Sequence, residues 1–393
     1  MVRLVLLMLI VNIQGADPVD FMIPLVVIMS YVVQVKKAEV NKIGTSVFYF
    51  FSIFILTYAI SMFVNDFSVS YVANIILNMM LFLIVFRYAT SDRRVMSIML
   101  WLSIGATLFA ILSLLSFSFD IKVLPNQFEI IRDGRFLGML GDPNILAAYS
   151  VFLLLYWIDD VIHPMRHYKG ARRLLGILFI FVFSFQILST GSRSAWAGAV
   201  IGVIIYLFFT VRKSRLRFKL RVAGFLFIFS TIIVISMMIV SGKGTLERFD
   251  SAVNISNVEE DRINLVYTVS ALKVAIDNPF GVGPGMTNFA TGHVNIDGGV
   301  IGSHNVFVQI FSDNGWITGA IFFLAIVILW LKSLINASQR KRYLGVNQSV
   351  MLGTISSLLV IGMFHDLIQW KVLWVIMALY VAMIQSKHKF RKF

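Results

Sequence analysis

Few residues in this chain could do chemistry: one histidine, His304, and three arginines, Arg135, Arg193 and Arg262. A neutral imidazole is well suited to take a proton from a hydroxyl near pH 7. Guanidiniums bind phosphate oxygens bidentately. Together they suit a reaction in which an acceptor hydroxyl is deprotonated while a diphosphate leaves. Each residue also has a plainer reading. A lone histidine is more often structural, and His293 and the pair His365-Asp366 compete with His304. Arg193 could snorkel to a membrane interface. It follows Ser192, a plausible N-cap, and a guanidinium at the positive end of a helix favours anion binding over stability. Arg262 could pair with Glu259 on one helix face. Arg135 has Arg132 close by, and either could be an exposed loop charge. Asp142, followed by Pro143, reads as a helix cap. No HExxH-like spacing or carboxylate cluster suggests a metal site. The absence of cysteine excludes disulfides, thiolate ligands and a Cys nucleophile.

The elements that must position these residues are membrane helices. Hydrophobic residues make up 58% of the 393, charged residues 14%, and mean hydropathy is +0.84, where soluble domains carry roughly a quarter charged. The expected fold is an all-α polytopic membrane domain over 1–393. Its candidate spans are 4–14, 19–35, 43–64, 69–87, 95–116, 144–162, 174–190, 194–211, 222–241, 306–331, 346–364 and 372–386. The N-terminal apolar run reads as a retained first helix, because no clean small-x-small cleavage site follows it. No internal repeat is evident, which weakens an inverted-repeat transporter.

Charge gives the orientation. Alternate loops collect 25 of the 34 basic residues against four acids, leaving nine basic against 16 acidic residues on the other side. By the positive-inside rule the first side is cytoplasmic, with both termini there. The net charge of +14 is then a topology signal, and no nucleic-acid partner is needed. The long polar segment 242–305 falls on the extracytoplasmic face, with the loop 117–143 and the turns at Ser189–Arg193 and His365–Lys371. That face holds no ATP, so chemistry there needs an activated substrate. Within the segment, Ser256 and Glu259 form a capping box, Asn278-Pro279 stops the helix that follows, and Gly281, Gly283 and Gly285 mark a sharp bend or a close approach to a ligand.

In order and spacing, these motifs resemble the O-antigen ligase / O-antigen polymerase superfamily of bacterial membrane glycosyltransferases. The resemblance runs from about Arg132 to Trp330. It rests on Gly134-Arg135-Phe136-x-Gly138 with Asp142-Pro143-Asn144, on Ser189-Thr190-Gly191-Ser192-Arg193-Ser194-Ala195, on Arg262 before Asn278-Pro279-x-Gly281-x-Gly283, and on His304-Asn305 followed by Gly315. It implies a C-type glycosyltransferase-like fold of about a dozen spans in the bacterial inner membrane, with one large extracytoplasmic loop containing short helices. It also implies an inverting transfer of glycan from an undecaprenyl-diphosphate carrier, without metal, nucleotide or other cofactor. Carried over, Arg193 and Arg262 hold the diphosphate and His304 is the base. Arg135 is a weaker transfer, and Asp142, Asn144 and Asn305 are supporting residues. The acceptor is another lipid-linked repeat unit for a polymerase and lipid A–core for a ligase, and a chain-length regulator is a candidate partner. The Gly-Asp-Pro-Asn form at Asp142 tilts the choice slightly to a polymerase. A transporter or flippase, or a membrane scaffold, is the alternative. Transporters place ionisable groups at mid-membrane, and the centres of these spans are almost free of charge.

Overall fold

The computed structural model describes residues 22–24, 45–119, 131–132, 135–136, 142–163, 171–211, 258–292 and 304–389. Among them are eleven α-helices: α1 (Thr45–Val64), α2 (Val69–Tyr88), α3 (Asp92–Phe119), α4 (Pro143–Ile162), α5 (Ala171–Ser189), α6 (Arg193–Val211), α7 (Val258–Asp277), α8 (Thr287–Ala290), α9 (Val306–Ser338), α10 (Gln348–Gly362) and α11 (Lys371–Lys389). Six are long and apolar enough to cross a membrane, and three further apolar helices are shorter. Nine of the expected spans coincide with helices. Those at 4–14, 19–35 (apart from residues 22–24) and 222–241 lie outside the described residues, as do Ser256 and His293.

The expectation of an all-α chain needs a small correction. Two hairpins are present, β1 (Ile131–Arg132) with β2 (Arg135–Phe136) and β3 (Arg342–Tyr343) with β4 (Val346–Asn347). The second turns through Leu344 and Gly345, both at positive φ, as a two-residue hairpin turn requires.

Helix packing uses small residues where apolar side chains alone would not bring backbones together. Gly198 and Gly202 of α6 face Gly353 and Ser357 of α10. A Cβ on Gly353 would stand 2.7 Å from the Gly202 carbonyl oxygen. Ser357 Oγ donates to the Gly198 carbonyl at 2.7 Å. This antiparallel pair fixes the start of α6 beside the end of α10. In α4, Trp157 donates to Ser103 Oγ at 2.7 Å and Ser150 to Gln186 Oε1 at 2.8 Å, tying α3, α4 and α5 by polar bonds in apolar surroundings.

The expected span 306–331 runs on to Ser338 and is broken at Gly315, which has φ 81° and ψ 175°. Nine residues before the break form a half-helix. The remainder is long enough, at about 1.5 Å per residue, to cross a hydrocarbon core of about 30 Å by itself. A break exposes backbone groups that an apolar medium cannot satisfy. Here the glycine-rich turn covers them. Val282 and Gly283 donate to the carbonyls of Ser312 and Asp313 at 2.9 Å each, and Trp316 donates to Pro279 at 2.9 Å. The approach is too close for side chains, since a Cβ on Gly315 would stand 2.5 Å from the Pro279 oxygen, and one on Gly283 would collide with the Asp66 carbonyl. The fully buried Asp313 secures the turn by accepting from Thr287 N at 2.9 Å, Thr287 Oγ1 at 2.6 Å and Gln309 Nε2 at 2.8 Å. The close approach at these glycines is to the chain itself, where a ligand was the alternative expected to a sharp bend.

Candidate functional site

Helix starts build one end of the bundle. Asp142 caps α4, its Oδ1 accepting from Asn144 N at 2.7 Å and Ile145 N at 3.3 Å, with Pro143 opening the helix. Asn144 stands in that first turn. The buried Ser192 precedes α6 and accepts from Ala195 N at 3.4 Å. The tight turn before it passes through Gly191 at φ 60°. Arg193 is therefore the first residue of α6, at the positive end of the helix dipole. Asn305 caps α9, accepting from Phe307 N at 3.0 Å and Val308 N at 3.1 Å, while its Nδ2 donates to the Met363 carbonyl at 3.2 Å.

His304 stands one residue before that cap in a left-handed conformation, φ 46°. Non-glycine residues adopt it at a cost and are held there by their surroundings. Burial holds the His304 imidazole below its ordinary pKa, opposed by the Asp142 carboxylate. The neutral ring, the form a base needs, is favoured.

The segment between α10 and α11 completes this end. His365 places its ring perpendicular to that of His304, centroids 6.4 Å apart. The same ring stacks on Trp370 at 5.6 Å and 30°. Its Nε2 lies 3.0 Å from Ser194 Oγ. Asp366 caps the short 3-10 turn Leu367–Gln369 through Ile368 N at 3.3 Å. Burial and then the Asp313 carboxylate push the Asp366 carboxyl up to about 7.

The structure thus gathers Asp142, the start of α6 with Arg193, and His304-Asn305. Sequence reasoning weighed His365 and gave it no part, and it did not single out Ser194. The signal was a second histidine on the same face, whose partner lies 171 residues away. Arg262 lies near the start of α7 and Arg135 in β2, but their side chains are outside the described residues. α7 packs on α9 through its far end, where Trp316 Nε1 donates to the Ala275 carbonyl at 2.7 Å. No described contact brings Arg262 to His304. Phe136, next to Arg135, is buried and packs on Phe185 of α5 at 6.2 Å, which fixes the hairpin to the bundle. No group of three or more His, Asp or Glu residues that could hold a metal occurs among the described residues.

Residues 177–323 match a family model described as O-antigen ligase. The match includes Arg193, Arg262 and His304 and ends before His365. It bears out the resemblance to the O-antigen ligase and polymerase superfamily over that stretch, and the family is one of glycan-transferring membrane enzymes. No curated protein matches the chain.

Proposed function

We propose that the chain is an inverting glycosyltransferase. It polymerises undecaprenyl-diphosphate-linked repeat units of O-antigen, capsule or exopolysaccharide on the extracytoplasmic face of the bacterial inner membrane. The observation that carries this reading is the convergence of three helix starts, those of α4, α6 and α9, around an imidazole that burial keeps neutral. Helix N-termini favour an anion, Arg193 adds a guanidinium, and His304 supplies a base.

In the proposed step, His304 takes the proton of the acceptor hydroxyl. The oxygen forms its bond to the anomeric carbon from the face opposite the diphosphate. The bond from that carbon to the phosphate oxygen breaks, and its electron pair leaves with the diphosphate. Arg193 and Arg262 hold the charge that develops there, and inversion follows from attack on the opposite face. The family match gives no support to a transporter.

A ligase is the second reading, favoured by the description of the matched family. The acceptor then is lipid A–core in place of a second lipid-linked unit. Both readings are tested with purified protein, lipid-linked oligosaccharide and each acceptor in turn. A polymerase lengthens the lipid-linked glycan without lipid A–core. His304→Ala lowers turnover by about 10²- to 10⁴-fold, the usual range for a general base. Full activity of that variant would sink the base assignment.

A further inference from the structure

We propose that His365 is a positioning residue for the transfer, tying the Arg193-bearing end of α6 to His304 so that diphosphate site and base keep a fixed separation. The inference rests on the glycan-transfer reading above. Three contacts carry it. Ser194, directly after Arg193, meets His365 Nε2 at 3.0 Å, so a shift of that helix end must break this bond or carry the ring with it. Trp370 stacks on the ring from another side at 5.6 Å, which fixes its plane. The ring stands perpendicular to His304 at 6.4 Å, within the range of aromatic edge-to-face pairs.

The surroundings make such a tie necessary. His304 holds a left-handed backbone conformation, which persists only where neighbours over-determine it. Asn305 anchors it from the chain side, through Met363, and His365 packs beside the ring. The charged or titratable groups described at this end include Asp142, acting on His304, Arg193 directly before Ser194, and Asp366 directly after His365. The α6–α10 glycine contacts reach to the same end and hold the backbone on both sides of the Ser194–His365 bond.

The test uses full-length His365→Ala, His365→Gln and Ser194→Ala with the lipid-linked substrate. A base misplaced by about 1 Å costs on the order of 10²-fold. His365→Ala is therefore expected to lose about 10- to 100-fold in kcat, with a smaller change in KM. Water reaching His304 raises the acid limb of the pH profile towards its ordinary position. His365→Gln, whose amide can still meet Ser194, recovers part of kcat. Ser194→Ala falls between the two. NMR titration of the His304 ring in each variant reads the same shift without turnover. An unmoved His304 titration and acid limb in His365→Ala overturn the proposal, even where kcat falls, because a merely structural loss would leave them in place. Full activity of His304→Ala instead overturns the underlying reading of the base, so the two failures are distinguishable.

Discussion

The two ends of α4 handle charge in opposite ways. At the end reached by Ile162, Asp160 receives a fork from Arg172, 2.6 Å at Oδ1 and 2.9 Å at Oδ2. Asp159 accepts from Arg342 at 2.9 Å, His163 at 2.9 Å and Tyr206 at 3.1 Å. Two buried acids are held there by side chains from several elements, which draws the β3–β4 hairpin, α5 and α6 onto α4. At the end opened by Asp142, helix starts and imidazoles converge instead, and a carboxylate caps a helix. One end uses charge to hold helices together. On the proposed reading, the other presents positive helix ends and a neutral imidazole to the substrate.

Three measurements would break or sharpen this contrast. The largest effect is expected at the paired end. Arg172→Ala leaves the buried Asp160 carboxylate without its fork, and breaking a buried pair costs about 3–5 kcal/mol. The resistance of the detergent-solubilised protein to unfolding should drop accordingly, while activity per folded molecule stays. Next is Arg193→Ala. If Arg193 holds the diphosphate as proposed, losing charge-assisted bonds to it, each about 1.5–3 kcal/mol, should cut kcat/KM about 10- to 100-fold with a smaller loss of stability than in Arg172→Ala, and Arg193→Lys should recover only part of it. Equal losses of stability in both variants would erase the distinction between the ends. The smallest effect concerns Asp366, raised to about 7 by burial and the Asp313 carboxylate. A raised folded pKa means that the native state binds the extra proton. The associated stability is full below the ordinary carboxyl pKa of about 4 and is lost as pH rises from there through about 7. Asp366→Asn should therefore raise the melting temperature at pH 8 relative to the parent and do little below about pH 4.

What was legible in the sequence was local. Asp142-Pro143, Ser192 and Asn278-Pro279 announce helix boundaries because caps and stops depend on a few neighbouring residues, and the helices begin or end there. Nine of the twelve expected spans were legible through hydropathy as helices, six of them long and apolar enough to cross a membrane. The partners were not. Gly198 and Gly202 meet Gly353 and Ser357 across more than a hundred residues, and hydropathy is blind to which glycine faces which helix. The break at Gly315 escaped for a related reason: one glycine inside a long apolar run hardly alters the window average. Two-residue strands are shorter than any periodicity that could reveal them. The site followed the same rule. The position of His304 at a helix mouth was legible, while its neighbour His365 depended on a fold that sequence spacing does not express.

The broken helix α9 also bears on how the chain is made. The turn that covers the break, Asn278 to Met286, precedes it in the sequence. On a ribosome it is therefore synthesised first, and the half-helix emerges with its cover already outside the tunnel. The exposed carbonyls of Ser312 and Asp313 need not wait in lipid for a partner yet to be translated. A circular permutant carrying residues 278–286 after α9 would reverse that order and send the break into the bilayer uncovered. Biosynthesis from the N-terminus is thus as much a part of this helix's design as the glycines that allow it to bend.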